Sequence, residues 1–181
     1  YLYEKSSYLK KKQKIILKNQ KVKWVENFNE INKGPVIFVG NEFLDAIPIK
    51  QFKKKKGSFF EKNYTLNKNF DIEETYRKAS IINSKMLKSY LSIKDLNFIE
   101  FPKLGFQNLK KITKKILKLE GCILLIDYGY LKPHNENTLQ SVLKHKKNNL
   151  LDNLGKADVT SHINFELLKE FFKKNNLKTK K

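Results

Sequence analysis

The sequence predicts an open, largely parallel α/β sheet, and three observations carry that prediction. Two runs, PVIFVG (35–40) and CILLIDYG (122–129), are apolar at consecutive positions, the pattern of strands covered on both faces. Segments with helical period alternate with strand-like ones along the chain. Both apolar runs also end in polar chemistry: NEFLD follows the first at 41–45, and Asp127 closes the second. In sheets of this kind ligands sit beyond the carboxyl ends of the strands.

The elements follow in order. Leu2 to Glu4 reads as a short strand. Ser7 is placed to cap a helix from Tyr8 to Leu17, with Leu9, Ile16 and Leu17 inward and lysines outward. VKWVE (22–26) is a second strand and PVIFVG a third. PIKQFKKKKGSFFEKNYTLN (48–67) alternates around Gly57 as a hairpin does, and NFIEF (97–101) is a further strand of the same inserted part. Helical period returns from Leu104 to Leu119, with Ile112, Ile116 and Leu119 on one stripe, and Gly121 ends it. A last helix is expected over 164–174, burying Phe165, Leu168, Phe171 and Phe172 and capped by Ser161 or Asn164. The opening YLYE enters directly on a strand, so the chain is expected to begin inside a fold.

Composition narrows the function. The 181 residues, 40% of them hydrophobic, suit one domain with a real core. The formal charge of +20 invites a nucleic-acid reading, yet Arg77 is the only arginine. Arginine is the side chain that recognises phosphate and guanine with two parallel bonds. The lysines are scattered among apolar positions and accompany abundant Asn and Ile, so they are read as solvated faces. Cys122 is the sole cysteine, which rules out a disulfide within the chain, and a buried structural role is expected for it. No His or Asp spacing matches a metal helix. No apolar run is long enough to span a bilayer, and a reducing compartment is the default.

Four strand ends then define a candidate rim: Glu4, ENFNE (26–30), NEFLD and DYG (127–129). An acidic residue at the end of an early strand accepts ribose hydroxyls in nucleoside-binding folds, after a glycine-rich turn that here would lie upstream. Glu42 and Asp45 are the carboxylates suited to pairing with a cationic group. Gly129 lets the backbone turn next to a ligand.

NEFLDAIPIKQF, LLIDYGY, TLQSVLKHK and ADVTSHINF, in this order and at these separations, resemble the MidA family of class I S-adenosylmethionine-dependent methyltransferases. That family includes the mitochondrial complex I assembly factor that acts on an arginine of a complex I subunit. YLYEKSSYLKKKQ and VKWVENFNEI are also similar to family stretches, with Ser7 in place of a proline and Val25, Glu26 and Asn27 in place of His-Asp-Ser. The resemblance implies a Rossmann-like class I methyltransferase sheet with an inserted β-hairpin and helical part, truncated at its N-terminus. It implies a single partial domain: core at 1–50 and 103–130, insertion at 51–102, and a substrate-side part at 131–181. S-adenosyl-L-methionine is the implied cofactor, held by Glu4 at the ribose and by Glu26, Asn27 and Asn41 elsewhere. Glu42 and Asp45 are the implied catalytic carboxylates. Asp127, Tyr128, Gly129, His145, Asp158, Thr160 and His162 would shape the substrate pocket, and no metal is needed.

The implied activity is protein-arginine N-methylation in respiratory complex I assembly or a bacterial equivalent, with a complex I subunit as the candidate partner. Such a protein belongs to the cytoplasm of a bacterium or to the mitochondrial matrix of a eukaryote. Two rivals remain: an RNA or DNA methyltransferase, prompted by the charge, and a non-catalytic assembly protein of the same fold. The 181 residues alone are expected to be poorly stable and inactive.

Overall fold

The computed structural model describes residues 1–180. Strand β1 (Ile37–Asn41) lies parallel to β6 (Cys122–Ile126), in register from Ile37 opposite Cys122 to Asn41 opposite Ile126. Both chains therefore leave the sheet at the same edge. The connection between them is long, as a parallel crossover requires, and it contains a complete second sheet. Helix α1 (Ser7–Ile16) links two further strand-like segments that meet only at a parallel bridge between Leu2 and Trp24.

The inserted sheet is antiparallel, ordered β4-β3-β2-β5, with β2 at Lys50–Lys55, β3 at Ser58–Leu66, β4 at Ile72–Lys78 and β5 at Phe98–Phe101. The β2–β3 turn is Lys56-Gly57, both at positive φ (45° and 75°), the geometry a two-residue hairpin needs. Helices α2 (Ile81–Lys88) and α3 (Lys103–Leu119) follow β4 and β5. The core gathers here. Phe52, Ile99 and Phe101 share one buried cluster with Phe106, Leu109, Ile112 and Ile116 of α3, joined by the Phe101–Phe106 ring contact. Helix α4 (Phe165–Lys174) closes the cluster, with Phe171 stacked on Phe106 at 4.3 Å between ring centroids. Of the two expected caps for α4, Asn164 serves: its side-chain oxygen accepts the Leu167 N–H at 3.0 Å. Between α3 and α4 run two small ladders. One is β7 (Gly129–Tyr130) parallel to β11 (Ile163–Asn164); the other joins β8 (Gln140–Leu143), β9 (Lys146–Asn148) and β10 (Asp158–Thr160).

Four expectations need correction. The strands at Leu2–Glu4 and 22–26 shrink to the single bridge between Leu2 and Trp24. Helix α1 buries no residue: Leu9 and Ile16 are exposed rather than inward, since no element packs on that face of the helix. The two apolar strands are covered on one face only. Phe38, Ile123 and Leu125 pack against the core, while Ile37, Val39, Leu124 and Ile126 are at least half exposed. Cys122 starts β6 on that open face and is exposed, not buried.

Candidate active site

The carboxyl ends of β1 and β6 are tied together by their own backbone and by one side chain. The Glu42 N–H donates to the Ile126 carbonyl at 2.8 Å, extending the ladder by one bond. Glu42 holds φ at 47°, a left-handed conformation that costs a non-glycine residue about 1–2 kcal/mol. Such outliers persist where the surroundings over-determine them, often at functional sites. Asp127 then clasps the turn that follows: one carboxylate oxygen accepts the Leu44 N–H at 2.9 Å, the other the Tyr128 N–H at 2.9 Å. Leu44 is 1% exposed and anchors the turn in the core.

This geometry brings Glu42, Asp45 and Asp127 to one place. Asp45 is half-buried, and its Oδ1 is buried with no hydrogen-bond partner among the described residues. Burial, then the charge of Asp127, and to a lesser degree that of Glu42, raise its pKa above the ordinary carboxylate value, outweighing the backbone N–H groups of Ala46 and of Asp45 itself, which pull it down. A desolvated acceptor oxygen beside two like charges is costly unless something cationic completes it. The Asp45 carbonyl, in turn, accepts the Ser161 N–H at 3.0 Å, which fixes the segment carrying His162 against the acidic turn.

The other predicted residues divide by role. Glu4 ends the bridged segment, and its carboxylate accepts the Ser6 N–H at 2.8 Å and the Gln13 amide at 3.1 Å. Glu26 is exposed and ion-paired with Lys10. Asn27 caps a short helical turn at Phe28–Glu30 by accepting the Asn29 N–H, while Glu30 accepts the N–H groups of Glu26 and Asn27. Asn41 and Tyr128 are exposed at the strand ends. Gly129 is needed for packing: a Cβ there would stand 2.1 Å from the Ile163 carbonyl oxygen. His145 stands in the β8–β9 turn with Lys144, both at positive φ. Thr160 accepts the Gln140 side-chain amide at 3.2 Å, and Asp158 is exposed beside it on β10. His162 is exposed, its N–H donating to the Thr138 hydroxyl at 3.0 Å.

That last bond leads through Thr138 to Glu100 and Tyr130, which the sequence reading missed. Glu100, 8% exposed on β5, accepts the Gln51 amide at 2.7 Å, the Thr138 N–H at 3.2 Å and the Thr138 hydroxyl. Thr138 thus relays a buried carboxylate of the inserted sheet to the His162 backbone. Tyr130 lies close enough to Glu100 for burial first and that charge second to push its hydroxyl pKa up to about 12. The available signal was a glutamate within the otherwise apolar FIEF strand, a position that is charged only when its partners are built in.

Among the described residues no group of three His, Cys, Asp or Glu side chains is arranged to hold a metal ion, and no helix is long and apolar enough to cross a membrane.

Comparison with known proteins agrees with this frame. A family model described as "Putative S-adenosyl-L-methionine-dependent methyltransferase" matches residues 1–181. The chain is 31% identical over 153 residues to the mitochondrial protein arginine methyltransferase NDUFAF7 homolog of Caenorhabditis elegans, covering 83% of this chain and 36% of that protein. It is 23% identical over 148 residues to the corresponding Xenopus tropicalis protein, covering 81% of this chain and 34% of the relative. The chain therefore spans about a third of the curated relatives it matches. A Burkholderia thailandensis crystal structure bound to S-adenosyl-homocysteine shares the fold, with a TM-score of 0.74 at 19% identity, over 96% of this chain and 47% of that one.

Proposed function

We propose that this chain, which belongs to the family of S-adenosyl-L-methionine-dependent methyltransferases, carries the acceptor end of a protein-arginine N-methyltransferase. The observation that carries the reading is the unpartnered, buried Oδ1 of Asp45 beside Asp127 and Glu42. A guanidinium presents several N–H donors in a fixed plane and a delocalised positive charge. It satisfies both deficits at once, the missing hydrogen bond and the uncompensated negative charge. The names of the C. elegans and Xenopus relatives, which specify protein arginine, support the same acceptor.

Bound S-adenosyl-L-methionine supplies an electrophilic methyl group on a sulfonium. An acceptor nitrogen that took up this methyl would have to shed one proton to a residue of the chain. A protonated guanidinium is a poor nucleophile, so the work of this chain is to orient it and to take that proton. Asp45, with its raised pKa, is the base suited to do so; Glu42 shares the orientation. Asp127 spends both carboxylate oxygens on the Leu44 and Tyr128 N–H groups and so positions the turn. His162, Thr160, Asp158, His145, Tyr128 and Gly129 belong to the side from which the protein substrate enters.

Toward the donor, Glu4 fits a ribose. Its carboxylate is fixed by Ser6 and Gln13 at the end of the bridged segment, and each oxygen keeps a lone pair free for a hydroxyl. Asn27, Asn41 and Glu26 are the other residues assigned to the donor in this reading. The uncovered face of β1 and β6 points to further cover from the longer protein, so methyl transfer is a property of that protein rather than of these 181 residues. The partner fitting this reading is a complex I subunit during its assembly, in the mitochondrial matrix of a eukaryote or the cytoplasm of a bacterium.

The test is Asp45→Asn in the full-length protein. Protein methylation is expected to fall at least about a hundredfold, the usual scale for a lost general base, with thermal unfolding and donor binding retained. Undiminished arginine methylation in that variant overturns the assignment.

A further inference from the structure

A cleft of about 490 Å³ opens between the inserted sheet and the start of α3, directly beyond the acidic turn. Its near end is Pro48 and Ile49, within roughly 10 Å of extended chain from Asp45, together with Leu139, the neighbour of Thr138. Its far wall is Tyr64. There the β3–β4 hairpin has left the rest of the sheet, since the pairing of β2 with β3 ends at Phe52 opposite Glu61. By strand alternation Leu66 and Ile72, which face each other across the hairpin, continue the Tyr64 side. They are 64% and 41% exposed, so the apolar wall runs on past the cleft.

The charge of this cleft is opposite to that of the turn. Three ammonium groups line it, from Lys50, Lys62 and Lys103. Lys50 is paired with Glu61, and Lys62 with Glu74 at 2.7 Å. Lys103 donates only to the neutral side-chain oxygen of Asn83, at 2.9 Å, and has no carboxylate partner among the described residues. The acidic turn thus leads within three residues of chain, at Pro48, into a cleft lined by an ammonium with no direct carboxylate partner and by Tyr64, whose side of the hairpin carries the exposed Leu66 and Ile72.

We propose that the cleft and the hairpin face beyond it hold an extended segment of the protein substrate, bearing an acidic and an apolar residue about three to five positions from the methylated arginine, given about 3.3 Å per extended residue. The arginine enters the Glu42–Asp45 end, the acidic side chain meets Lys103, and the apolar one lies on Tyr64 and Leu66. The proposal rests on the arginine reading above, and its test separates the two.

The probes are short fluorescein-labelled peptides with one arginine. One carries glutamate and leucine at those positions, a second has lysine for glutamate, and a third has lysine for arginine. Their binding to the full-length protein is followed by anisotropy. The glutamate peptide is expected to bind about tenfold tighter than its lysine counterpart, on the scale of close interfacial charge pairs. Lys103→Glu reverses that order, and Leu66→Ser weakens both peptides while leaving the order intact. Thermal unfolding of each variant, with Lys103→Met as the uncharged control, shows that the fold is kept. Equal binding of the two charge forms, or an order unchanged in Lys103→Glu, overturns the docking surface. If the charge preference holds but replacing arginine by lysine changes nothing, the docking surface stands and the arginine reading falls.

Discussion

Phe52, in the inserted sheet, is fully buried, whereas Val39, in the parallel pair that carries the acidic turn, is 60% exposed. The antiparallel sheet has α3 and α4 against it and a continuous cluster of aromatic rings. The parallel pair has α3 on one face and nothing on the other. Burying apolar surface stabilises by roughly 25 cal/mol per Å², so the stability of this chain is generated mainly in the cluster that the inserted sheet shares with α3 and α4. The chemistry proposed for it sits on the other region. The two are joined by Leu44, which roots the turn in the core, and by the relay from Glu100 through Thr138 to His162. A large uncovered apolar face on a strand pair is a site for further protein cover.

The sharpest way to break this contrast is Phe52→Ala, which is expected to cost about 3–5 kcal/mol in denaturant unfolding. A loss as small as that of a surface change would mean that this cluster is not the centre of stability. Next comes Asp127→Ala, which leaves the buried Leu44 N–H without its acceptor and is expected to cost about 1–3 kcal/mol. The same change removes one of the causes raising the Asp45 pKa, so the Asp45 carboxyl should titrate lower by NMR.

The two regions should also answer pH with opposite signs. Burial alone would raise the Glu170 pKa, but the N–H groups of Ser92 and Leu91, the Ser92 side chain and the Lys174 ammonium outweigh it and hold it low. Its contribution is complete above the unfolded carboxylate value of about 4.3 and fades as pH falls through the depressed folded one. Asp45 is raised, so its ionised form costs stability once pH exceeds the folded value, and the penalty is relieved as pH falls toward the unfolded value of about 3.9. Asp45→Asn is therefore expected to be more stable than the parent at pH 7, with an advantage that shrinks on acidification. Glu170→Gln should be less stable at pH 7, with a deficit that shrinks in the same direction. Denaturant midpoints measured across the acid range check both. The smallest effect is expected from Val39→Thr on the open face, within about 0.5 kcal/mol in this chain. A much larger loss would mean that the face is covered after all.

The parts of the fold legible in the sequence were those set by local chemistry. Gly57 after Lys56 marked the hairpin turn, the Ile112 and Ile116 spacing marked α3, and Asn164 marked the start of α4. What period alone could not supply was cover. PVIFVG and CILLI read as strands buried on both faces because apolar alternation is absent, yet hydrophobicity records what a face prefers and not what lies against it. The same gap misplaced Cys122 and the apolar side of α1. At the site, Glu42, Asp45 and Asp127 were legible as strand-end carboxylates. Their division of labour was not, because the bond from Asp127 to the Leu44 N–H joins positions far apart in the chain, as do those from Glu100 to Thr138.

The ladder bond from Glu42 to the Ile126 carbonyl and the Asp127 clasp have a mechanical consequence. Because the turn is pinned to both strands at once, sliding β1 along β6 by a single residue would carry Asp45 about 3.3 Å out of step with Asp127 and break both ties together. Alignment of the two carboxylates is thus all-or-none with respect to shear, so a force along that seam would switch the pair off rather than detune it.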